Sequence, residues 1–283
     1  MSKHFVQNAA LRALLLGGYR AYARAQLWRS GPRIFVNSIP KAGTHLLAAE
    51  LDNFRSLQNS RLHLMNQKLR LPGPRTPEAH GRFDIAKIAR EIGTVRGGQY
   101  FTAHLFWSEE LERLLAEQGV RTIFMARDPR AILVSRLHYT LGLKRHWLNA
   151  HLAENFATDE ARYHFLLDGH AGDPFVLPVE HLLAGHIPWT RSPTTLTVKF
   201  EELVGERGGG TATAKLEALR RIADHCGLPT EELDRFAASA AKATPTLRRG
   251  KADAWRSELP RSIAERVNRE WGPILAAFGY PAD

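Results

Sequence analysis

The chain has 283 residues, 44 % of them hydrophobic, and its 39 basic and 29 acidic residues give a formal net charge of +10. A chain of this size and hydrophobic content can bury one large core. Its positive net charge attracts anions: nucleotides, nucleic acid, or acidic lipid and glycan surfaces. The single cysteine, Cys226, excludes an intramolecular disulfide and is typical of a reducing, cytoplasmic compartment. No apolar run reaches the ~18 residues of a membrane span, so we expect a soluble chain.

Residues 1–30 predict a helical segment ahead of a domain that spans 31–283. The apolar stretch from Ala9 to Gly18 is short, and arginines follow it where a secretory signal would need a cleavage site. Arginines and aromatic residues then recur at helical spacing from Tyr19 to Arg29. Two interpretations stay open: a helix packed on the domain, and an interfacial helix that makes peripheral contact with anionic lipid.

A strand, a glycine turn and a helix are predicted next. The apolar run from Ile34 to Val36 is followed by Pro-Lys-Ala-Gly-Thr at 40–44 and by helix-forming residues to Leu51. A helix that begins directly after a strand leaves backbone N–H groups unpaired and directs its positive end toward them. Lys41 adds charge and Thr44 a hydroxyl, so we expect a bound phosphate or sulfate. Because the lysine precedes the glycine, the loop is not of the Walker type.

The next elements alternate between helix and strand. Residues 71–77 form a turn-rich insertion. Helices are predicted over 82–92 and 109–118, and a strand over 97–103 leads into His104. The long region after Leu141 is expected to be helices and loops whose aromatic residues and histidines either line an acceptor pocket or pack in the core.

A second strand-turn-helix unit begins at Val120. Asp128 suits a helix N-cap and Pro129 the first helical turn, which places Arg127 at the carboxyl end of the strand. Open α/β sheets bind ligands at that edge. Ser135 lies about two turns into the helix, so Arg127 and Ser135 can bind a phosphate distinct from the one at Lys41. Two such sites imply a ligand with phosphates at both ends.

The remaining elements complete one domain. A strand is predicted at 195–200, a mobile loop at 205–211, and helices from Lys215, Glu231 and Arg261. Strands that alternate with helices indicate a single-domain α/β fold with a central parallel sheet and helices on both faces. A basic run at 248–251 precedes Trp255, which we assign to the core. Such runs are usually solvated surface, although glycine among cations also allows close approach to an anion.

Together the three motifs resemble those of the sulfotransferases that use 3′-phosphoadenosine 5′-phosphosulfate (PAPS). The family's Pro-Lys-Ser-Gly-Thr-Thr-Trp loop is similar to residues 40–46. Its Arg-Asp/Asn-Pro helix with a serine is similar to 127–135, and its Arg-Lys-Gly…Trp motif to 248–255. The resemblance runs in order from Arg33 to Tyr280. It implies a P-loop-NTPase-like fold and sulfuryl transfer to an acceptor hydroxyl, with adenosine 3′,5′-bisphosphate (PAP) as product and no metal.

The resemblance also implies two groups of donor ligands. Those for the 5′-phosphosulfate are Lys41, Ala42, Gly43, Thr44 and His45. Those for the 3′-phosphate are Arg127, Ser135, Arg248, Arg249 and Gly250.

Two residues would then carry the chemistry. His104 occupies the place of the family's catalytic histidine, and imidazole can take a proton from an attacking hydroxyl near neutral pH. Lys41 would stabilise charge on the leaving oxygen. The sequence departs from the family pattern at Ala42 for serine, at Leu46 for an adenine-stacking tryptophan, and at Thr102 for a lysine. The acceptor stays open among a carbohydrate, a glycolipid, a peptidyl tyrosine and a small phenol.

Two other classes of function are compatible with parts of the sequence. A P-loop kinase would use ATP and need acidic Mg²⁺ ligands, for which Asp128 is the obvious candidate. A non-catalytic protein that binds nucleic acid or an anionic surface would account for the +10 charge. The absence of a helix-turn-helix or RNP-type signature argues against a nucleic-acid partner, and no paired cysteine or histidine pattern predicts zinc. The sequence gives no indication of oligomeric state.

Overall fold

The computed structural model describes residues 13–15, 17–18, 21, 31–73, 81–173, 175–233 and 251–282. Within these residues, five strands form one sheet in the order β2-β3-β1-β4-β5, and every neighbouring pair is parallel. The strands are β1 (Arg33–Ser38), β2 (Gln58–Met65), β3 (Gln99–His104), β4 (Val120–Ala126) and β5 (Thr195–Lys199). The prediction of a single α/β domain around a parallel sheet is confirmed.

Helices connect and cover these strands. They are α1 (Thr44–Leu51), α2 (Asn66–Leu69), α3 (Ile85–Ile92), α4 (Glu109–Glu117), α5 (Pro129–Gly142), α6 (Asn149–Asn155), α7 (Asp159–Asp168), α8 (Val179–Ala184), α9 (Phe200–Leu203), α10 (Ala212–Cys226), α11 (Trp255–Glu258), α12 (Arg261–Glu270) and α13 (Gly272–Ala277). Short 3₁₀ turns lie at Ile187–Arg191, Glu206–Gly208 and Thr230–Glu232.

Both faces of the sheet are buried, because successive strand residues point to opposite sides. On one face Phe35 of β1, with its counterparts on β3 and β4, packs against α3, α4 and α5. On the other, Val36 and its counterparts pack against α1 and α10. Cys226 ends α10 and is buried in this second core. Burial on both faces explains why β1 and β4 read as continuous apolar runs.

The edge strand β2 was not predicted from the sequence. Only Leu62 and Leu64 alternate with polar residues in it, and the register with β3 shifts between Asn59 and His63. Arg61 has a positive φ of 62° at this irregularity. A bulge of this kind interrupts the two-residue period that identifies a strand.

Several predicted boundaries were wrong by a few residues because of helix caps. The helix α3 begins at Ile85 rather than at residue 82, since the Asp84 carboxylate accepts a hydrogen bond from the backbone N–H of Lys87. The helix α10 begins at Ala212 rather than at Lys215, because the Thr211 hydroxyl caps it. The strand β5 ends one residue early, since Phe200 starts a helical turn.

Three predictions fall wholly or partly outside the described residues. Residues 13–15, 17–18 and 21 are helical, and the rest of the predicted N-terminal segment is not described, so both interpretations of it stay predictions. The basic run at 248–250 and most of the predicted helix from Glu231 also lie outside. In the described part of the chain, no helix combines the length and the apolarity needed to cross a bilayer.

Candidate active site at the carboxyl ends of three strands

The central strand β1 lies between β3 and β4, and all three run in the same direction. Their carboxyl ends therefore meet at one edge of the sheet. The loop after Ser38, the last residue of β3 and the residue after β4 converge there. The strands β2 and β3 lie on one side of β1, and β4 and β5 lie on the other. Open α/β sheets bind ligands in the crevice that such a switch of strand order creates.

The loop from Ile39 to Gly43 bends sharply before α1. Lys41 and Gly43 have positive φ angles of 78° and 108°, and the Ala42 N–H donates to the Ile39 carbonyl at 2.9 Å. No side chain caps α1 at Gly43. Because the first N–H groups of a helix have no partner within the helix, this end is open to an anion. The predicted phosphate loop thus has the backbone geometry that an anion site requires.

Gly43 has no room for a side chain. A Cβ atom placed there would lie 2.6 Å from Cδ2 of Phe200 and 3.0 Å from Cε of Met125. The loop therefore rests directly on the first residue of α9 and on β4, and its shape is set by this packing.

Thr44 is buried and bonded within the protein. Its Oγ1 lies 2.5 Å from Oγ of Ser38. The hydroxyl predicted as an anion donor is thus engaged with the end of β1, although a hydroxyl can donate once and accept as well. His45 is exposed at the start of α1, and Ala42 is buried.

The Lys41 side chain extends toward α5. Its Nζ lies 3.9 Å from the ring centroid of Tyr139, which is 46 % exposed. An ammonium over an aromatic face is stabilised by the ring quadrupole. The ammonium group of Lys41 is therefore positioned against α5.

Arg127 follows β4, as predicted, and is bonded to the same loop. Its Nη1 donates to the Lys41 carbonyl at 3.1 Å, and its guanidinium lies 4.1 Å from the Phe200 ring centroid. Burial lowers the pKa of Arg127, and the charges of Glu201, Tyr280 and Asp128 oppose that shift. Within the described part of the chain, the buried Nε has no hydrogen-bond partner. A buried donor left unpaired is costly, which marks this face of Arg127 as a place for an acceptor.

A partly buried carboxylate, Glu201, interacts electrostatically with Arg127. Oε2 of Glu201 accepts from the Tyr280 hydroxyl at 2.5 Å, and Oε1 accepts from the Asp128 N–H at 3.3 Å. Burial raises the pKa of Glu201, and the hydrogen bonds and Arg127 counteract this. The sequence analysis assigned neither Glu201 nor Tyr280 a role.

Asp128 serves a structural purpose. Its Oδ1 accepts from the backbone N–H of Arg130 at 2.9 Å and from Nε of Arg130 at 3.0 Å, and its Oδ2 accepts from Nη2 at 2.9 Å. The predicted N-cap is confirmed, with Pro129 at the start of α5. The Arg130 guanidinium in turn lies 3.9 Å from the Trp255 ring, which confirms Trp255 as core. Because both carboxylate oxygens are occupied, Asp128 is a poor Mg²⁺ ligand for the kinase alternative.

Ser135 lies on α5, about two turns from its start, and is partly buried. The described residues offer its hydroxyl no hydrogen-bond partner, so it does not bond back to the preceding turn. Ser135 and Arg127 lie on the same strand-turn-helix unit. The other three residues predicted to bind a 3′-phosphate, Arg248, Arg249 and Gly250, are outside the described residues.

His104 ends β3 and faces the end of β1. Its Nδ1 donates to the Ser38 carbonyl at 2.8 Å and lies 3.2 Å from the Ser38 hydroxyl. Burial lowers the pKa of His104 to about 3, with the Ser38 hydrogen bond opposing the shift. A carbonyl can only accept, so the proton of the neutral ring resides on Nδ1 and the Nε2 lone pair is available.

A second histidine, His63 of β2, lies beside His104. The two rings meet edge to face with centroids 5.0 Å apart, and Nδ1 of His63 lies 2.8 Å from Oγ1 of Thr102. Burial, followed by the charges of His45 and Lys68, lowers the pKa of His63. Sequence reasoning missed His63 because β2 was not predicted, and only the register that pairs it with Thr102 reveals the contact.

Comparison with known proteins agrees with this geometry. The family model described as a sulfotransferase domain matches residues 31–278. The fold resembles that of mouse sulfotransferase SULT7A1 complexed with PAP, at 16 % identity and a TM-score of 0.55, covering 90 % of this chain and 89 % of that chain. It also resembles retinol dehydratase in a complex with retinol and PAP, at 16 % identity and a TM-score of 0.50, covering 91 % and 86 %.

No individual curated protein matches the sequence. Likeness at 16 % identity shows a common P-loop-like α/β fold. The family match is the stronger result, since it covers far more than half of the 283 residues. The chain therefore belongs to the sulfotransferase family of enzymes.

Proposed function

We propose that this protein transfers a sulfuryl group from PAPS to an acceptor hydroxyl, with His104 as general base and Lys41 as the electrostatic catalyst. The observation that carries the proposal is the direct bond between the two halves of the site. The Nδ1–H of His104 donates to the carbonyl of Ser38, the residue from which the Lys41 loop departs. One hydrogen bond thus fixes the position of the candidate base relative to the start of the anion loop.

The residues present fit the donor. The positive φ of Gly43 and the uncapped start of α1 leave backbone N–H groups available to an anion, and the close packing of Gly43 on Phe200 and Met125 fixes the shape of the loop. Among the described residues, the buried Nε of Arg127 has no hydrogen-bond partner, and the Ser135 hydroxyl makes no hydrogen bond. Both groups suit a second phosphate. Lys41, Gly43 and Thr44 would bind the 5′ end, and Arg127 and Ser135 the 3′-phosphate. The retinol dehydratase and SULT7A1 structures that share this fold were both solved with PAP, which supports the same donor here.

When bound, PAPS supplies an activated sulfuryl group attached to a phosphate that leaves. His104 accepts the proton of the acceptor hydroxyl at Nε2, because Nδ1 already carries a proton and donates it to Ser38. Lys41 places its ammonium group where negative charge accumulates on the departing oxygen. Tyr139 steadies that ammonium from the opposite wall.

Calorimetric titration with PAP and with ATP, both in EDTA, tests the donor assignment. We expect tight binding of PAP and weak binding of ATP, because only PAP carries phosphates at both ends. Equal affinities, or ATP binding that appears when Mg²⁺ is restored, would instead favour a kinase. A Ser135→Ala variant should lower PAP affinity about tenfold while leaving ATP affinity unchanged, since one charge-assisted hydrogen bond is worth about 1.5–3 kcal/mol.

The His104→Ala variant tests the base. We expect PAP affinity within about twofold of the wild type and sulfuryl transfer reduced about 10²–10⁴-fold, the usual contribution of a positioned general base. Transfer is followed as PAP release with a panel of phenols and sugars as acceptors. Undiminished transfer by this variant would remove His104 from the mechanism.

A further inference from the structure

Arg136 is a partly buried arginine whose charge is not neutralised by any residue that the structure describes. It follows Ser135 on α5. In the part of the chain that the structure describes, no hydrogen bond or ion pair joins it to another residue. Burial lowers the pKa of its guanidinium, and no carboxylate among the described residues offsets this. Removing a cation from water without a partner is expensive. Such a group is expected where a bound anion completes the site.

The positive charge of Arg136 is close to that of Lys41. After burial, the charges of Arg136 and then Lys41 are what lower the pKa of His146. The His146 ring meets Tyr139 edge to face, with centroids 5.7 Å apart, and Tyr139 is the ring under the Lys41 ammonium. Arg136 therefore lies at the same crevice as the candidate catalytic lysine.

This side of the crevice differs from the one that would hold the 3′-phosphate. Arg127 binds the backbone carbonyl of Lys41 and lies on Phe200. The Lys41 ammonium instead lies over the ring of Tyr139, which is one helical turn after Arg136 on α5. Arg136 thus belongs with the residues at the amine end of Lys41, where the acceptor hydroxyl would approach.

Exposed aromatic rings complete this wall. Trp147 is 60 % exposed and Tyr139 is 46 % exposed, although both are large. The Trp147 ring stacks on His146 with centroids 5.8 Å apart and an interplanar angle of 26°. Exposed aromatic faces beside cations provide a flat surface for a ring, whether that ring is aromatic or a sugar.

From these features we infer that the acceptor is an anionic, ring-bearing hydroxyl compound whose acidic group binds Arg136 and whose ring lies against Tyr139 and Trp147. The inference rests on the proposed function, because it names the acceptor class of the same site. The hydroxyl is then presented to His104 while the acidic group remains unreacted. The acidic group of the acceptor binds Arg136, whereas the phosphosulfate of the donor binds the phosphate loop. The affinity for the acceptor therefore depends on Arg136 more than on the phosphate loop.

Two matched pairs of probes test the inference by calorimetry on the full-length protein saturated with PAP. The aromatic pair is 4-hydroxybenzoate and its methyl ester, and the sugar pair is methyl glucuronide and methyl glucoside. We expect the acid to bind at least tenfold more tightly than its neutral analogue in one pair. The pair that responds identifies the ring. The Arg136→Gln variant should abolish the preference, and Arg136→Lys should retain part of it.

Lys144→Gln is the matched control, since it removes one exposed positive charge from the same region. It should leave the acid preference unchanged. The inference is overturned if neither acid is preferred, if the preference survives Arg136→Gln, or if that variant weakens PAP itself tenfold, which would assign Arg136 to the donor. Failure of the wild type to bind PAP is a separate result: it rejects the proposed function, and the acceptor class falls with it.

Discussion

The Nδ1 atom of His104 lies 2.8 Å from the carbonyl oxygen of Ser38. This single contact fixes both the orientation of the imidazole and its tautomer, because a carbonyl oxygen accepts only. It also joins the last residue of β3 to the last residue of β1. The ring that is the candidate base is therefore positioned by backbone from the element that carries the anion loop.

The depressed pKa of His104 makes a prediction about stability and pH. The pKa of His104 is about 3 in the folded protein and near 6.5 in the unfolded chain. Between pH 3 and pH 6.5 the unfolded state therefore binds more protons than the folded state. The contribution of the neutral His104 to the free energy of unfolding is complete above pH 6.5 and is lost as the pH falls toward 3. Urea unfolding should show the free energy of unfolding decreasing less steeply with acidity in His104→Gln than in the wild type. Parallel curves for the two proteins would contradict the assigned pKa.

Asn37 is expected to be necessary for the placement of His104. This fully buried residue donates from Nδ2 to the Leu105 carbonyl at 2.8 Å and accepts from the Leu105 N–H at 2.9 Å. Asn37→Ala would leave the buried Leu105 N–H unpaired, while the Leu105 carbonyl would keep its hydrogen bond from Nε1 of Trp189. The variant should cost about 1–3 kcal/mol of stability. Asn155→Ala, which removes exposed bonds within α6, should change stability by less than about 0.5 kcal/mol. Urea unfolding of both variants measures the difference, and equal losses would show that the two bonds to Leu105 add nothing.

The fold and the anion-binding elements could be predicted because they depend on local signals. Continuous apolar runs identified β1 and β4, and the Asp-Pro pair at 128–129 identified the start of α5. Each of these signals lies within a few residues of the element that it specifies.

The connections between distant parts of the site could not be predicted in the same way. His63 reaches His104 only through a strand with an irregular register. Arg127 donates a hydrogen bond to the backbone carbonyl of Lys41. Because every residue has such a carbonyl, no residue type in the sequence indicates this contact. Tyr280 meets Glu201 across 79 residues. Such contacts depend on tertiary packing, so patterns within short segments of the sequence do not predict them.

Gly43→Ala should damage the anion loop through two effects. The new Cβ would lie 2.6 Å from Phe200, and the φ of 108° is unfavourable for any residue with a side chain. We expect a loss of about 2–4 kcal/mol in stability and a PAP affinity reduced at least tenfold. Gly119→Ala separates the effects, because Gly119 has a φ of 62° but nothing within 4 Å of an added Cβ. It should cost only about 1–2 kcal/mol and leave PAP affinity unchanged. Thermal unfolding and calorimetry distinguish these results, and a neutral Gly43→Ala would show that the loop tolerates a side chain.

Arg127→Lys should weaken PAP binding about 10–100-fold even though the charge is kept. The guanidinium lies over the Phe200 ring and donates to the Lys41 carbonyl, and its buried Nε has no partner among the described residues. An ammonium group cannot reproduce the stack and the fork of donors together, and the loss of one or two charge-assisted hydrogen bonds corresponds to this range. Arg113→Lys, which changes an exposed arginine paired with Glu109, is the control and should bind PAP like the wild type. If Arg127→Lys also binds normally, only the charge of Arg127 acts on the nucleotide, and its contact with the Lys41 carbonyl does not contribute to the site.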